Sequence, residues 1–336
     1  MKKVIFALAA VVALAACSNE ETIIADKGAA IGFDTFVGKA TRVDDPSLTN
    51  SNLADFAVYG AVTNDATALI FDNVRVAKNI TNNDLSSVWK YEGTQYWING
   101  AIYNFAAVAP ASCGKNGAFS TSSFKTTLAF TNDAVTDLLY AQHAPITGVE
   151  GNGDAEGTAN EAVDFTFRHV LSKVKFSFEN QYLSTGSKIV VRDIVLTNAH
   201  KTATATLDAS TVWALDATTF EIPFGNAAVD AVDAEETIAQ GSELESYNAR
   251  FIIPATDYTY NVTFAVDIVY GTTVVETYEH EAELTFTPVA GTSYDIKTII
   301  NATNIDPDQA QEPIEFTVTT VNEWNNPATE EDAEII

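Results

Sequence analysis

The 336-residue sequence has few cysteines, which form the disulfides of small extracellular proteins, and few histidines, which often bind metals or act in catalysis. It has two cysteines, Cys17 and Cys113, and four histidines, no two of which have the spacing of a metal site. It lacks a nucleophile–base motif, a glycine-rich phosphate loop and a fitting calcium loop. No stretch longer than about ten residues keeps a helical period. We therefore predict no catalytic, cofactor-binding or metal-binding residues, and little helix.

Basic residues are also scarce. Lys and Arg number 18 against 45 Asp and Glu, which gives a net charge of −27. Residues 202–249 and 298–336 each carry nine carboxylates and no Lys or Arg. Such a surface repels polyanions, so we expect no nucleic-acid partner. The 46% hydrophobic content is sufficient for large cores, and the length suggests about two domains.

The first residues have the pattern of a secretory signal. Two lysines precede an apolar run over residues 4–13, which is too short to span a membrane. The ending Leu14-Ala15-Ala16-Cys17 resembles a bacterial lipoprotein signal, in which residues 1–16 are removed and Cys17 is acylated. We predict lipid anchoring to a membrane through Cys17. The alternative is an ordinary signal peptide with an incidental cysteine.

Period-two alternation dominates the remaining chain. Residues 31–37 place Ile31, Phe33 and Val37 on one face, and residues 258–270 alternate without a break. Within residues 165–178 the apolar phase shifts by one, which predicts either a bulge or the passage of the chain from one sheet to another. Residues 148–160 are rich in Gly, Asn and Glu and are the best candidate for a domain boundary. We predict an all-β protein with two β-sandwiches, residues 43–160 and 161–305.

The C-terminal segment, residues 306–336, begins as a polar linker with two prolines. Beyond the linker, Ile314, Phe316, Val318 and Trp324 fall on one face of an extended chain. This segment is either the last strand of the second sandwich or a strand offered to another molecule.

Three short motifs in a fixed order carry a family resemblance. They are Tyr96-Trp97 followed by residues 103–110 (YNFAAVAP), residues 137–141 (DLLYA) and residues 167–174 (FRHVLSKV). With the lipoprotein ending and the apolar tail, this ordered set resembles the fimbrillins, the subunits of type V pili. One departure is Ile98, which stands where the motif is expected to have proline, so the turn there differs from the family pattern.

The resemblance implies two tandem transthyretin-like β-sandwiches and a structural shaft or tip subunit of an adhesive surface pilus (fimbrium). It implies that an arginine-specific protease cuts the lipidated precursor between Arg42 and Val43. The cut would remove residues 17–42, a lipidated propeptide with the strand of Ile31, Phe33 and Val37. The net charge would then change from −27 to −28, because residues 1–42 hold five basic and four acidic residues.

The resemblance also implies assembly by strand exchange. The groove left by the removed strand would accept the donor strand of a neighbouring subunit, with Ile314, Phe316, Val318 and Trp324 as its apolar face. Burial of four such side chains contributes about 6–12 kcal/mol as an upper bound. Head-to-tail exchange does not close on itself and so produces a filament. The expected partners are other pilus subunits, the protease, the outer membrane before processing, and an adhesion target on a host or bacterial cell.

Two other classes of protein remain as alternatives. A permanently lipid-anchored, surface-exposed glycan-binding protein would use exposed aromatic platforms, for which Trp89, Trp97, Trp213 and Trp324 are the candidates. A hydrolase would need two facing carboxylates, and no motif selects a pair among 45. His169 lies on an apolar, alternating face, which favours a structural histidine over a catalytic one.

Overall fold

The computed structural model describes residues 29–37, 47–49, 51–78, 89–149, 162–182 and 186–321, and the structural statements below concern these residues. They form twenty strands, β1–β20 in chain order, and one helical turn, α1 (Ala111–Gly114). None of the helical structure in these ranges has the length and hydropathy to cross a membrane. The prediction of an all-β protein is confirmed.

The first sandwich contains a seven-stranded sheet and a four-stranded sheet. In spatial order, the seven-stranded sheet consists of β1 (Phe33–Val37), β9 (Val163–His169), β8 (Leu139–Thr147), β5 (Ile102–Ala109), β2 (Asp55–Thr63), β3 (Thr67–Lys78) and β4 (Trp89–Lys90). The four-stranded sheet consists of β13 (Thr211–Leu215), β12 (Thr202–Leu207), β7 (Thr126–Thr131) and β6 (Gly117–Phe119).

The second sandwich pairs a four-stranded sheet with a five-stranded one. The four-stranded sheet consists of β14 (Thr219–Gly225), β11 (Ser187–His200), β17 (Tyr258–Tyr270) and β18 (Thr273–Phe286). The five-stranded sheet consists of β15 (Glu243–Glu245), β10 (Ser172–Asn180), β19 (Ser293–Ile300) and β20 (Phe316–Val321), with β16 (Arg250–Ile252) also paired to β10.

The seven-stranded sheet buries apolar side chains on both of its faces. In β2, Phe56 and Val58 point into a core enclosed by the sheet itself, whereas Ala57 and Tyr59 pack toward the four-stranded partner sheet. A side chain at Gly60 would meet the ring of Phe105 at 2.7 Å, so the close packing here requires glycine. β2 is therefore buried along nearly its whole length rather than on alternate residues.

The predicted phase change corresponds to a passage between the sandwiches. β9 belongs to the seven-stranded sheet, and after Val170 and Leu171 the chain enters β10 of the second sandwich. Both strands bury their apolar face, so the phase shifts where the chain changes sheets. Of the two expectations, bulge or passage, the structure shows the passage.

Sheet membership crosses the predicted boundary at residue 160. β9 lies beyond that boundary but pairs with β1 and β8, and β12 pairs with β7 of the first sandwich. The reason is that β11 of the second sandwich ends at His200 and β12 follows after one residue, so the chain returns to the first sandwich. Such pairing joins residues about 75 positions apart, and local sequence patterns do not encode it.

Candidate functional site

The segment that the family resemblance implies is removable forms a seam between the two edges of the seven-stranded sheet. β1 pairs in parallel with β9, from Phe33 opposite Val163 to Val37 opposite Phe167. Just before β1, the chain instead pairs with residues that follow β4: the amide of Ile31 donates to Gln95 O at 2.9 Å, and the amide of Trp97 donates to Ala29 O at 3.0 Å. Residues 29–37 thus join both edges of one sheet.

A tyrosine fixes this seam from the β4 side. The hydroxyl of Tyr91 donates to Ile31 O at 2.8 Å and accepts from the amide of Gln95 at 3.2 Å. Burial raises the pKa of Tyr91, and the Gln95 hydrogen bond opposes this effect only in part. The phenol therefore stays protonated and keeps its donor role at neutral pH.

The side chains of the removable segment fill the core enclosed by the sheet. Ile31, Phe33 and Val37 are all at most 5% exposed. The Phe33 ring stacks on Phe165 with the centroids 5.7 Å apart, and it meets Phe71, Tyr91 and Phe105 edge-on at 5.4–5.9 Å. Without residues 29–37, these four rings would line an open groove whose walls carry unpaired backbone groups of β9 and of residues 95–97. Sequence patterns gave no signal that these particular rings surround β1.

Several predicted site residues lie outside the described residues, namely Cys17, Arg42, Val43 and Trp324. The nearest described residues on either side of Arg42 are Val37 and Ser47, and both are buried. Leu48 is attached to the first sandwich, because its amide donates to Asp137 Oδ2 at 2.8 Å.

His169 is part of this attachment, in agreement with its expected structural role. Its Nδ1 lies 2.8 Å from Asp137 Oδ2, and both side chains are buried. In addition, Lys173 Nζ donates to Ser47 Oγ at 3.3 Å. Asp137 and Lys173 belong to motifs from the family resemblance, so these motifs contain residues that hold the chain just beyond the predicted cleavage site.

The C-terminal strand is docked on its own chain. β20 pairs antiparallel with β19, from Phe316 opposite Thr298 to Val321 opposite Ser293. Ile314, Phe316 and Val318 are half-buried against the core of the second sandwich, and the Phe316 ring lies 5.9 Å from that of Phe176. β20 is an edge strand with one face partly covered, whereas Ile31, Phe33 and Val37 of the removable segment are buried.

The structure gives no aromatic platform at the described tryptophans. Trp89 and Trp97 are buried in the core of the first sandwich. Trp213 packs edge-on against Phe130 at 5.8 Å, and its Nε1 donates to Val170 O at 3.3 Å. Within the described residues, no three His, Cys, Asp or Glu side chains are arranged to hold a metal ion.

Comparisons with known proteins agree with this architecture. A family model described as fimbrillin-like matches residues 41–324. A fimbrial protein from Bacteroides vulgatus is 17% identical with a TM-score of 0.58, and the match covers 88% of this chain and 99% of that one. The fimbrial anchor protein Mfa2 from Porphyromonas gingivalis is 12% identical with a TM-score of 0.37, over 88% and 99% of the two chains. No curated protein matches the chain.

Proposed function

The chain belongs to the fimbrillin-like family, and from this we propose that it is a structural shaft or tip subunit of an adhesive pilus. In this proposal the precursor is exported as a lipoprotein acylated at Cys17 and is anchored in the outer membrane. Cleavage after Arg42 then releases it, and the subunits polymerise by strand exchange. A permanent anchor subunit would keep its lipid and need no processing arginine, so Arg42 favours the shaft or tip.

The observation that carries the proposal is the position of β1 at a seam. An internal strand of a sheet cannot be removed without dividing the sheet, but β1 joins two edges of one sheet and leaves that sheet continuous from β9 to β4 when it departs. Its departure exposes an apolar trough with unpaired strand edges on both sides. Such a trough is a template for an extended segment of another chain.

The N-terminal strand is more deeply buried than the C-terminal strand, and this difference favours insertion of the tail into the groove of a cleaved neighbour. Complete burial of Ile31, Phe33 and Val37 contributes about 4.5–9 kcal/mol, at roughly 1.5–3 kcal/mol for each side chain. The half-buried Ile314, Phe316 and Val318 gain only part of that on their own chain. An apolar tail strand therefore buries more surface in the groove of a cleaved neighbour than it does at the edge beside β19. In the uncut precursor, β1 occupies the groove and prevents this exchange.

The glycan-binding alternative gains no support from the described tryptophans, because Trp89 and Trp97 are core residues and the indole of Trp213 is hydrogen-bonded to the backbone.

Treatment of the full-length protein with an arginine-specific protease tests the proposal. We expect one early cut that leaves Val43 as the new N-terminus, found by intact mass and N-terminal sequencing, and then SDS-resistant ladders. Arg42→Ala should abolish the cut and the ladders, whereas the matched Lys39→Ala should leave both intact. Truncation after Pro313 should allow the cut but abolish the ladders.

Two results would overturn the proposal. One is a chain that resists cleavage at Arg42 although it is folded. The other is a product cut at Val43, with its tail intact, that remains monomeric at all concentrations tested.

A further inference from the structure

The directions of the strands define an outer end for each sandwich. β11 runs from Ser187 to His200, and β12 of the first sandwich follows at once, so the His200 end faces the first sandwich. Ser187, at the opposite end, pairs with Tyr270 beside the β17–β18 turn at Gly271. By the same reasoning, β9 runs from its Val163 end toward β10 of the second sandwich. The β17–β18 turn and the Val163 end of β9 therefore mark opposite ends of the molecule.

Each outer end carries exposed apolar side chains. Val274 and Val275 follow the β17–β18 turn, and each is about half exposed. Ile98 and Ile102 lie at the Val163 end of the first sandwich and are exposed to the same extent. We name the valine pair the distal tip and the isoleucine pair the proximal collar. Isolated exposed apolar residues are ordinary, so exposure alone assigns these residues no role.

The proximal collar borders the entrance to the β1 groove. The amide of Trp97, next to Ile98, donates to Ala29 O at the start of the removable segment. Ile102 opens β5 and pairs with Thr147 at the same end of the sheet. A strand that enters the groove from this end passes directly beside the collar.

The tail is attached at the distal tip's end of the molecule. β19 is parallel to β10, and its last residue, Ile300, lies opposite Asn180 at the outer end. Once β20 leaves β19, the chain beyond Ile300 extends from that end. The thirteen residues 301–313 span at most about 43–47 Å when fully extended, so Ile314 reaches a neighbour's groove only if that groove's entrance lies near the tip.

We propose that the distal tip of one subunit docks on the proximal collar of the next copy of this chain. This inference rests on the proposed strand exchange and adds a second, separate contact to it. The two surfaces differ and lie at opposite ends, so the contact is heterologous and repeats along a filament. The contact aligns the donor tail with the groove before exchange and buries four apolar side chains that the monomer leaves exposed.

Disulfide trapping tests the contact between chains that carry Cys113→Ala. Cleavage at Arg42 removes Cys17, so each mature chain then holds only the cysteine that is introduced. We expect a mixture of Ile98→Cys and Val275→Cys chains to form a disulfide-linked heterodimer rapidly, because a bridge requires Cα atoms roughly 4.4–6.8 Å apart. Each variant alone should not cross-link. The matched control uses Val289→Cys in place of Val275→Cys. Val289 is equally exposed, and its carbonyl accepts from Ser172 Oγ at the start of β10, far from the distal tip.

A kinetic measurement complements the trapping. Val275→Ser removes the apolar contact without adding charge, and we expect it to slow the appearance of ladders about tenfold, with an unchanged unfolding temperature. Val289→Ser should polymerise at the wild-type rate.

The outcomes separate this inference from the proposed function. Normal ladders with no preference for the Ile98→Cys and Val275→Cys pair overturn the docking contact and leave strand exchange standing. Absence of wild-type ladders overturns the proposed function. In that case, selective trapping still supports an end-to-end interface, and its absence overturns both.

Discussion

Replacement of Phe33 by alanine should loosen β1 within the full-length chain. The ring is buried and contacts four other aromatic rings, so its loss leaves a cavity that the surrounding side chains cannot fill. Buried Phe→Ala substitutions cost about 3–5 kcal/mol. We expect most of this cost in the local opening of residues 29–37, because the remaining strands of the sheet stay paired to one another.

Amide hydrogen exchange measures how often residues 29–37 detach from the sheet. The amides of Val163 and Trp97 donate to Gly32 O and Ala29 O, so they exchange when the segment detaches. A loss of 3–5 kcal/mol accelerates their exchange roughly 10²–10⁴-fold. The matched variant is Phe36→Ala, on the same strand but only half-buried, which should change the same amides by about tenfold or less. Exchange at Val163 within tenfold of wild type in the Phe33→Ala variant would refute the view that this ring holds β1 in place.

Two further predictions concern the second sandwich. Phe316→Ala should cost about 1–2 kcal/mol, less than Phe33→Ala, because the ring is half-buried beside Phe176; β20 amides that exchange no faster than in wild type would contradict this. Burial beside Phe264 lowers the pKa of His280, opposed by a backbone hydrogen bond at Ile305 and by the charge of Asp306. The pKa of His280 in the folded chain thus lies below the unfolded value of 6.5. Above that pH the group costs no stability. As the pH falls, the unfolded chain takes up the proton first, and this destabilises the fold. The unfolding temperature of His280→Phe should therefore fall less than that of wild type between pH 7 and pH 5, and parallel curves would contradict the assignment.

The proposed function and the geometry together give a simple account of how premature assembly would be avoided. In the full-length chain β1 fills the apolar groove beside β9, and the tail strand β20 pairs with β19 of its own chain. Ile31, Phe33 and Val37 are more deeply buried than the apolar side chains of the tail. In the proposed function, removal of β1 would therefore change which pairing is most favourable, and one cut in the chain would start polymerisation.

Local patterns of residues determined much of the secondary structure. The alternation over residues 258–270 corresponds to β17, whose inward side chains from Tyr260 to Ile268 are buried. The apolar phase of Ile31, Phe33 and Val37 predicted a buried strand, and the structure has one. Side-chain alternation is a local property, because successive residues of any strand point to opposite faces. The composition and the order of short motifs likewise indicated the all-β class and the family.

Only the tertiary structure decided which strands meet. The parallel pairing of β1 with β9 joins residues 130 positions apart, and β12 returns to the first sandwich beside β7. Period-two patterns fix the face of each residue but leave the choice of neighbouring strand open, since any apolar edge satisfies the same backbone hydrogen bonds. The seam at β1, the rings around Phe33, and the placement of the tip and collar at opposite ends all follow from that choice, and sequence alone does not reveal them.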